Sequence, residues 1–305
     1  MSDGIRIGID IGGTSTRAVA IDAEGTVLME NQFATLQGAD AVLSLVCALV
    51  AELRDRSGRP LLGVGVGVPG VVEWPDGLVA HAVNIGVERL ALGRELSERL
   101  DTPVWVDNDV NVAALGAARI YPGGGSLGFL NVGTGLAAGV ILEGALWRGT
   151  RGVVGEIGHV AIDPAAGRCP CGQMGCLELI ASGSALARAL PRGVTPGALT
   201  SRLLLDSADV RTAFDAWVRG VAMAARMLVL SVGVDRVVVG GGAAALGTLL
   251  HDALVDVFDA WSKESPFIAS LRLPDRTFVG VPDRTATLGA ALLVESAPEL
   301  HPRER

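Results

Sequence analysis

The chain has 305 residues, 50% of them hydrophobic, which is length enough for two domains that each bury a core and excludes a disordered chain. A formal net charge of −8, a pI near 5.1 and no run of Lys or Arg exclude the basic footprint of a nucleic-acid binder. Mean hydropathy is high at +0.44, yet residues 61–72 are too short for a membrane span and the apolar stretch 128–142 stops at Glu143, so a soluble protein is expected.

The first residues carry no basic start followed by an apolar core and a small-residue cleavage site, so no secretory signal is expected and the cytoplasm is the expected compartment. Residues 5–11, 16–22 and 26–33 read as three consecutive strands with tight turns, followed by a helix over 39–53 in which Cys47 is a small buried hydrophobe. A buried strand at 61–68, a helix at 88–100, a strand at 103–109 that ends on acidic residues and a helix at 110–120 complete an α/β set. A glycine-rich break at 122–126 precedes a second set: a hairpin of 127–135 and 136–144, helices at 211–231 and 243–261, a strand at 235–242 and a terminal helix at 285–296. The expected division is a small N-terminal α/β domain, 1–118, to which the segment 285–305 returns, and a larger C-terminal α/β domain, 119–284. No repeat of solenoid period is present.

Three glycine loops stand at strand ends. In DIGGT (10–14), Gly12 and Gly13 let the backbone present amides to an anion, Thr14 adds a hydroxyl, and Asp10 can hold a magnesium ion or its water. A plain hairpin turn with glycine at positive φ is the competing reading, and the Walker and dinucleotide patterns are both missing there. Thr134 and Gly135 of GTG (133–135) repeat these ingredients, and VVVGGGAA (237–244) ends a strand and opens a helix, so that adenine and ribose can lie against bare backbone. In DNDVN (107–111) a strand hands over to a helix. There Asp109 is the candidate base for a substrate hydroxyl and Asn108 can both donate and accept, although helix capping also favours these residue types.

Of the four cysteines, Cys169, Cys171 and Cys176 fall within eight residues, with His159 ten residues upstream of the first. Three thiolates and an imidazole suit a closed, tetrahedral, structural zinc site, against the alternative of three free thiols. Gly172 and Gly175 allow the chain to wrap an ion. Glu156 and Glu178 bracket the cluster as acceptors for sugar hydroxyls, or as ordinary surface glutamates, and His159 has a second ring nitrogen to donate from.

In their order and over almost the whole chain, DIGGT (10–14), GVPG (67–70), the Asn84 segment, DNDVNVAALGA (107–117), GTG (133–135), GEIGH (155–159), CPCGQMGCLE (169–178) and VVVGGG (237–242) resemble the ROK family of sugar kinases and repressors. That resemblance implies the two-domain actin-like ATPase (ribonuclease H-like) fold, with an interdomain cleft that closes on ATP and sugar, and a zinc-binding loop. It implies Asp109 as the base, Gly70 (through its backbone), Asn84, Asn108, Glu156, His159 and Glu178 around the sugar, and Gly12, Gly13, Thr14, Thr134, Gly135 and Gly241 around the nucleotide. Zinc would be held by His159, Cys169, Cys171 and Cys176, and a homodimer is the assembly common in the family. ROK repressors carry a DNA-binding segment ahead of this first motif, and nine residues precede Asp10 here, so a kinase rather than a DNA-binding protein is expected.

Two departures from the family pattern bear on substrate. HAVNIGVERL (81–90) puts His81 where a small residue is usual and lacks the Trp of many glucose-phosphorylating members, and GTGLAAG puts Ala137 and Ala138 at positions expected near the phosphates. The expected activity is phosphoryl transfer from ATP to a hydroxyl, the 6-hydroxyl of glucose or a close analogue. An aminosugar of the kanosamine, N-acetylmannosamine or N-acetylglucosamine kind, or a cyclitol, is the alternative acceptor, and a non-catalytic sugar sensor is the alternative of another class.

Overall fold

The computed structural model of the chain describes residues 4–123 and 125–296; Gly124 of the expected glycine-rich break and residues 297–305 of the expected returning segment lie outside them. Its first elements are β1 (Ile5–Ile11), β2 (Ser15–Ile21), β3 (Val27–Ala34), α1 (Ala39–Ser57), β4 (Leu61–Val68), β5 (Val71–Glu73), β6 (Leu78–Ala82), β7 (Val87–Leu90), α2 (Leu92–Leu100), β8 (Val104–Asn108) and α3 (Asp109–Ile120). There follow β9 (Ser126–Val132), β10 (Leu136–Leu142), β11 (Ala145–Leu146), α4 (Glu178–Ala181), α5 (Gly183–Ala189) and α6 (Ala208–Ser231). The last are β12 (Arg236–Gly240), α7 (Thr248–Glu264), α8 (Pro266–Ser270), α9 (Leu273–Arg276), β13 (Thr277–Val279) and α10 (Thr285–Ser296). Two compact units result: residues up to Pro122 with Gly149–Gly152 and those from Pro282 on, and Gly123–Arg148 with Val153–Val281.

In the first unit the sheet runs β3-β2-β1-β4-β8, with β4 and β8 parallel to β1. Because strand side chains alternate, IRIGIDI and LLGVGVGV each sort into two faces. Ile5, Ile7, Ile9, Ile11, Val64, Val66 and Val68 share one face and are buried with α1 residues Val42, Leu43, Val46 and Leu49 and α2 residues Leu92 and Leu96. Each such side chain contributes roughly 1.5–3 kcal/mol on burial. The opposite face is nearly bare, and α10 lies against it: a Cβ on Gly8 would come within 2.0 Å of Thr287 O, and one on Gly65 within 1.8 Å of Ala290 O. The same device sets α3 against α10, where a Cβ on Gly116 would meet Thr285 O at 1.9 Å and one on Gly289 would meet Val112 O at 1.7 Å. Glycine in these strands and helices therefore serves close packing that no side chain permits.

A separate antiparallel ribbon, β5-β6-β7, follows β4. Residues 88–90, expected to begin a helix, belong to β7, which pairs with β6 through Val79 and Leu90, Ala80 and Arg89, and Ala82 and Val87. The charged residues there suit a helix locally, but pairing with β6 decides, and the helix starts at Leu92.

The second unit is built on the sheet β11-β10-β9-β12-β13, with β12 parallel to β9 and β13. Residues Val221, Ala225 and Leu228 of α6 join Leu130, Val132, Val237 and Val239 in one core that also takes Leu250, Leu254 and Phe258 of α7. Asp235, just before β12, ties the sheet together: its Oδ2 accepts from Gly125 N, Ser126 N and Ser126 Oγ, bonds that hold its carboxyl below the usual range. The helix expected over 243–261 is in fact a 3₁₀ turn, Gly242–Leu246, followed after Gly247 at φ 51° by α7. Gly247 breaks the run because its backbone sits in the left-handed region. Among the described residues, no helix is long and apolar enough to cross a membrane.

Candidate active site

The parallel register of β1, β4 and β8 lays Asp10, Gly67 and Asp107 in one row at the carboxyl ends of the strands, where open α/β sheets bind their ligands. Gly67 has no side chain, and its ideal Cβ position lies 3.6 Å from Asp10 Oδ1 and 3.6 Å from Asp109 Cα, so the Asp10 carboxyl and the start of α3 both approach it. Burial pushes the half-buried Asp10 carboxyl up to about 7, the Asp109 carboxylate adds to the push, and Arg17, its register partner on β2, opposes it.

The three residues before α3 divide their labour. Asp107 is buried and accepts from Asn108 N at 2.7 Å and Asn111 Nδ2 at 2.8 Å. Asn108 is the N-cap, its Oδ1 accepting from Val110 N at 2.9 Å, while its Nδ2 donates to Gly70 O at 3.0 Å. Asp109 opens the helix, half-buried, with Oδ1 3.0 Å from Val110 N. Capping thus accounts for Asn108 and fold stabilisation for Asp107, and the amide of Asn108 fixes Gly70, whose φ is 101°. Gly70 itself is wedged against β6, since a Cβ there would lie 2.7 Å from Ala80 O.

Gly13 and Thr14 are exposed between β1 and β2, and neither Gly12 nor Gly13 has a positive φ. Both glycines do sit in the β1-β2 hairpin turn, closed by Gly12 N donating to Ser15 O at 3.0 Å, but positive φ is not what glycine supplies there. What they provide is room: a Cβ on Gly12 would reach Ser15 O at 2.9 Å, and one on Gly13 would press Asn84 Cβ at 3.3 Å. Asn84, exposed in a 3₁₀ turn after β6, is thereby a neighbour of the DIGGT loop.

In the second unit, His159 and Cys169, Cys171 and Cys176 bring their ligand atoms within 4.8 Å of one another. The Cys171 and Cys176 sulfurs are 3.6 Å apart and Cys169 Sγ is 3.9 Å from His159 Nδ1, close to the ~3.8 Å separation that tetrahedral coordination at zinc–sulfur distances requires. Gln173, through its backbone and side chain, holds the Cys171 thiol down at about 6. The donor set fits zinc. With Nδ1 turned to the thiols, His159 Nε2 faces Glu156 Oε2 at 3.9 Å. The loop folds onto β10: Ala138 N donates to Gly155 O, and a Cβ on Gly155 would overlap Ala138 O at 1.6 Å. Ala137 and Ala138, expected near phosphates, are thus strand residues, and buried Ala138 seats this loop.

Glu178 leaves the cysteine loop and turns to the other glycine site, its Oε2 accepting from Leu136 N at 2.9 Å and standing 2.6 Å from where a Cβ of Gly135 would be. Gly183 N donates to Gly133 O across the same turn. Thr134 lines a cavity of about 580 Å³ with Gly183, Pro196, Trp217, Gly242 and Leu246. Gly241, at φ 73°, closes against Asn131 and Val132, its missing Cβ lying 2.5 Å from Asn131 Oδ1.

A model of the ROK family matches residues 6–297. The chain belongs to the ROK family. Among its relatives, the glucokinase of Halalkalibacterium halodurans is 33% identical over 95% of this chain and 92% of that enzyme. The structure of a ROK glucokinase from Streptomyces griseus in complex with glucose and AMPPNP is 27% identical, with a TM-score of 0.78 over 96% of this chain and 100% of that one. The xylose repressor of Caldicellulosiruptor bescii is 33% identical over 63% of this chain and 50% of the repressor.

Within this ROK chain, the first unit gathers Asp10, Gly12, Gly13, Gly70, Asn84, Asn108 and Asp109 by the contacts above, and the second gathers Thr134, Gly135 and Glu178 at one turn and His159, Glu156 and the three cysteines at another. Sequence reasoning quoted Gly67 only as the first residue of GVPG and gave it no role, although its place in the alternating GVGVGV run marked a bare strand face. It also missed the cavity walls Pro196 and Trp217, which carry no local signal: Trp217 reads as core, and its Nε1 bond to Ser182 O arises from packing.

Proposed function

We propose that this ROK protein is an ATP-dependent sugar kinase of the hexokinase type, in which Asp109 is the base. The observation that carries the proposal is the approach of Asp10 Oδ1 and the Asp109 backbone to the bare Gly67, near enough for the Asp109 charge to push the Asp10 carboxyl up, with Asp109 opening α3 next to its N-cap Asn108. One acid takes a proton and the other faces a cation. Asp109 accepts the proton of the attacking hydroxyl as its oxygen bonds to the γ-phosphorus and the bond from that phosphorus to the bridging oxygen of ADP breaks. Two carboxylates that feel each other's charge favour a divalent cation, and Mg²⁺ held by Asp10, directly or through water, would supply countercharge to the phosphates.

Gly70, Asn84 and Asn108 hold sugar hydroxyls from the first unit; Glu156, His159 and Glu178 supply further acceptors and a donor from the second. Gly12, Gly13 and Thr14 face phosphate, and Thr134, Gly135 and Gly241, beside the 580 Å³ cavity with its largely apolar walls, take the nucleoside. Zinc on His159, Cys169, Cys171 and Cys176 fixes the loop, leaving His159 Nε2 to the substrate side. A cytoplasmic homodimer completes the reading.

The acceptor is glucose or a close analogue through its 6-hydroxyl; the absence of the usual Trp beside Asn84 favours testing aminosugars and cyclitols with it. Purified protein carrying one zinc per chain is offered glucose, mannose, glucosamine, kanosamine, N-acetylmannosamine, N-acetylglucosamine and inositol with coupled detection of ADP. Turnover of glucose is the expected result. If glucose and mannose are inert and an amino- or carba-sugar turns over, the glucose assignment falls; if none turns over, the kinase reading falls. The repressor relative favours a second reading, a sugar sensor, for which binding without turnover across the panel is the mark.

A further inference from the structure

The segment that follows β3, Thr35 to Gly38, makes bonds that the catalytic reading does not use. Thr35 Oγ1 donates to Gly12 O at 2.7 Å, Gln37 Nε2 donates to Gly13 O at 3.4 Å, and Thr35 N donates to Thr14 O at 3.0 Å. All three carbonyls of the GGT loop thereby accept from this one segment. The same Gln37 Nε2 donates to Asn84 O at 3.2 Å, and Gly38 N donates to Ile85 O at 2.8 Å, so the segment also holds the turn that carries Asn84. Two carbonyl acceptors require the amide nitrogen on this side, and its two N–H groups match them. Gln37 is exposed and its bonds are long, which makes them weak contributors to global stability. Their distinctive property is to join two loops remote in sequence.

We infer that Gln37 is a positioning residue that couples the sugar loop to the phosphate loop, so that sugar held at Asn84 sets the GGT loop for the nucleotide. The inference rests on the site reading above. A carbonyl drawn back by Gln37 and Thr35 fixes the peptide planes between residues 12 and 15, and with them the direction of the amides that face phosphate. A shift of the Asn84 turn reaches those planes through the Gln37 amide, which bonds both loops, as well as through the direct approach of Asn84 to Gly13.

The test measures the affinity of Mg·AMPPNP, by calorimetry, with and without a saturating concentration of the best-turned-over sugar of the panel. Native protein is expected to bind the analogue about fivefold tighter or more with sugar present. Gln37→Met, a neutral side chain of similar length, and Gln37→Glu, an isostere that cannot donate when ionised, should both bring that ratio to within about twofold of one. Sugar alone should bind as in native protein, the analogue alone no more tightly than in native protein, and the melting temperature should not move. An unchanged ratio in Gln37→Met overturns the inference, as does loss confined to Gln37→Glu, which marks charge repulsion. A fall in melting temperature with equal loss of both affinities marks a merely structural role and overturns it too. Native protein that binds both ligands without mutual effect overturns the coupling and leaves the site reading standing; native protein that binds neither overturns both.

Discussion

Asp10 shows how one residue can be set against the stability of its own fold. Its carboxyl is pushed from 3.8 to about 7 by burial and by Asp109, so the charged form is disfavoured in the native state. An acid whose folded value is raised supports the fold fully below its unfolded value, and that support is lost as pH rises from near 4 to about 7. In magnesium-free buffer at pH 8, Asp10→Asn should therefore be more stable than native protein, by roughly 1–3 kcal/mol, and the difference should shrink toward pH 4. Thermal melts across that range check it; equal melts at pH 8 would mean the strain is absent. The same variant should lose phosphoryl transfer, because stability and catalysis ask for opposite charge states at this position. Residue types at the site were legible in the sequence because acids and glycines recur together at several strand ends, although turns and helix caps use the same residues. Their division of labour was not, because whether Asp107, Asn108 or Asp109 caps the helix depends on which side chain reaches Val110 N and Asn111.

At the scale of elements, Asp109 is placed by α3, and α3 is placed by glycine contacts with α10. A Cβ on Gly289 would stand 1.7 Å from the backbone oxygen of Val112, and a backbone atom cannot rotate away. Gly289→Ala should force the helices apart at a cost of about 1–3 kcal/mol and lower turnover by displacing the head of α3. Urea denaturation and the kinetics of the variant measure the two effects, and native values of both would show that the helices have slack. The alternation of Ile with Arg, Gly and Asp in β1 and of Val with Gly in β4 carries two unlike faces in the sequence, although the sequence reading takes 61–68 only as a buried strand. The ribbon β5-β6-β7 did not announce itself, since strands of three to five residues gain their identity from partners. For the same reason the route of Glu178 to Leu136 N was not visible: proximity to the cysteines in sequence concealed its contact with another turn.

For the whole molecule, the order of motifs along the chain was the most legible feature, and the match to the ROK family over residues 6–297 agrees with it. The identity of the sugar is less legible because, on the proposed reading, it rests on a few positions around Asn84 where this chain departs from the family pattern. The central claim, that Asp109 is the base of a sugar kinase, separates binding from chemistry and is tested most directly by Asp109→Asn. The account predicts that turnover falls by about 10²–10⁴-fold while the dissociation constant of the sugar, measured by calorimetry, stays within about twofold of native. Turnover within about tenfold of native in that variant would contradict it.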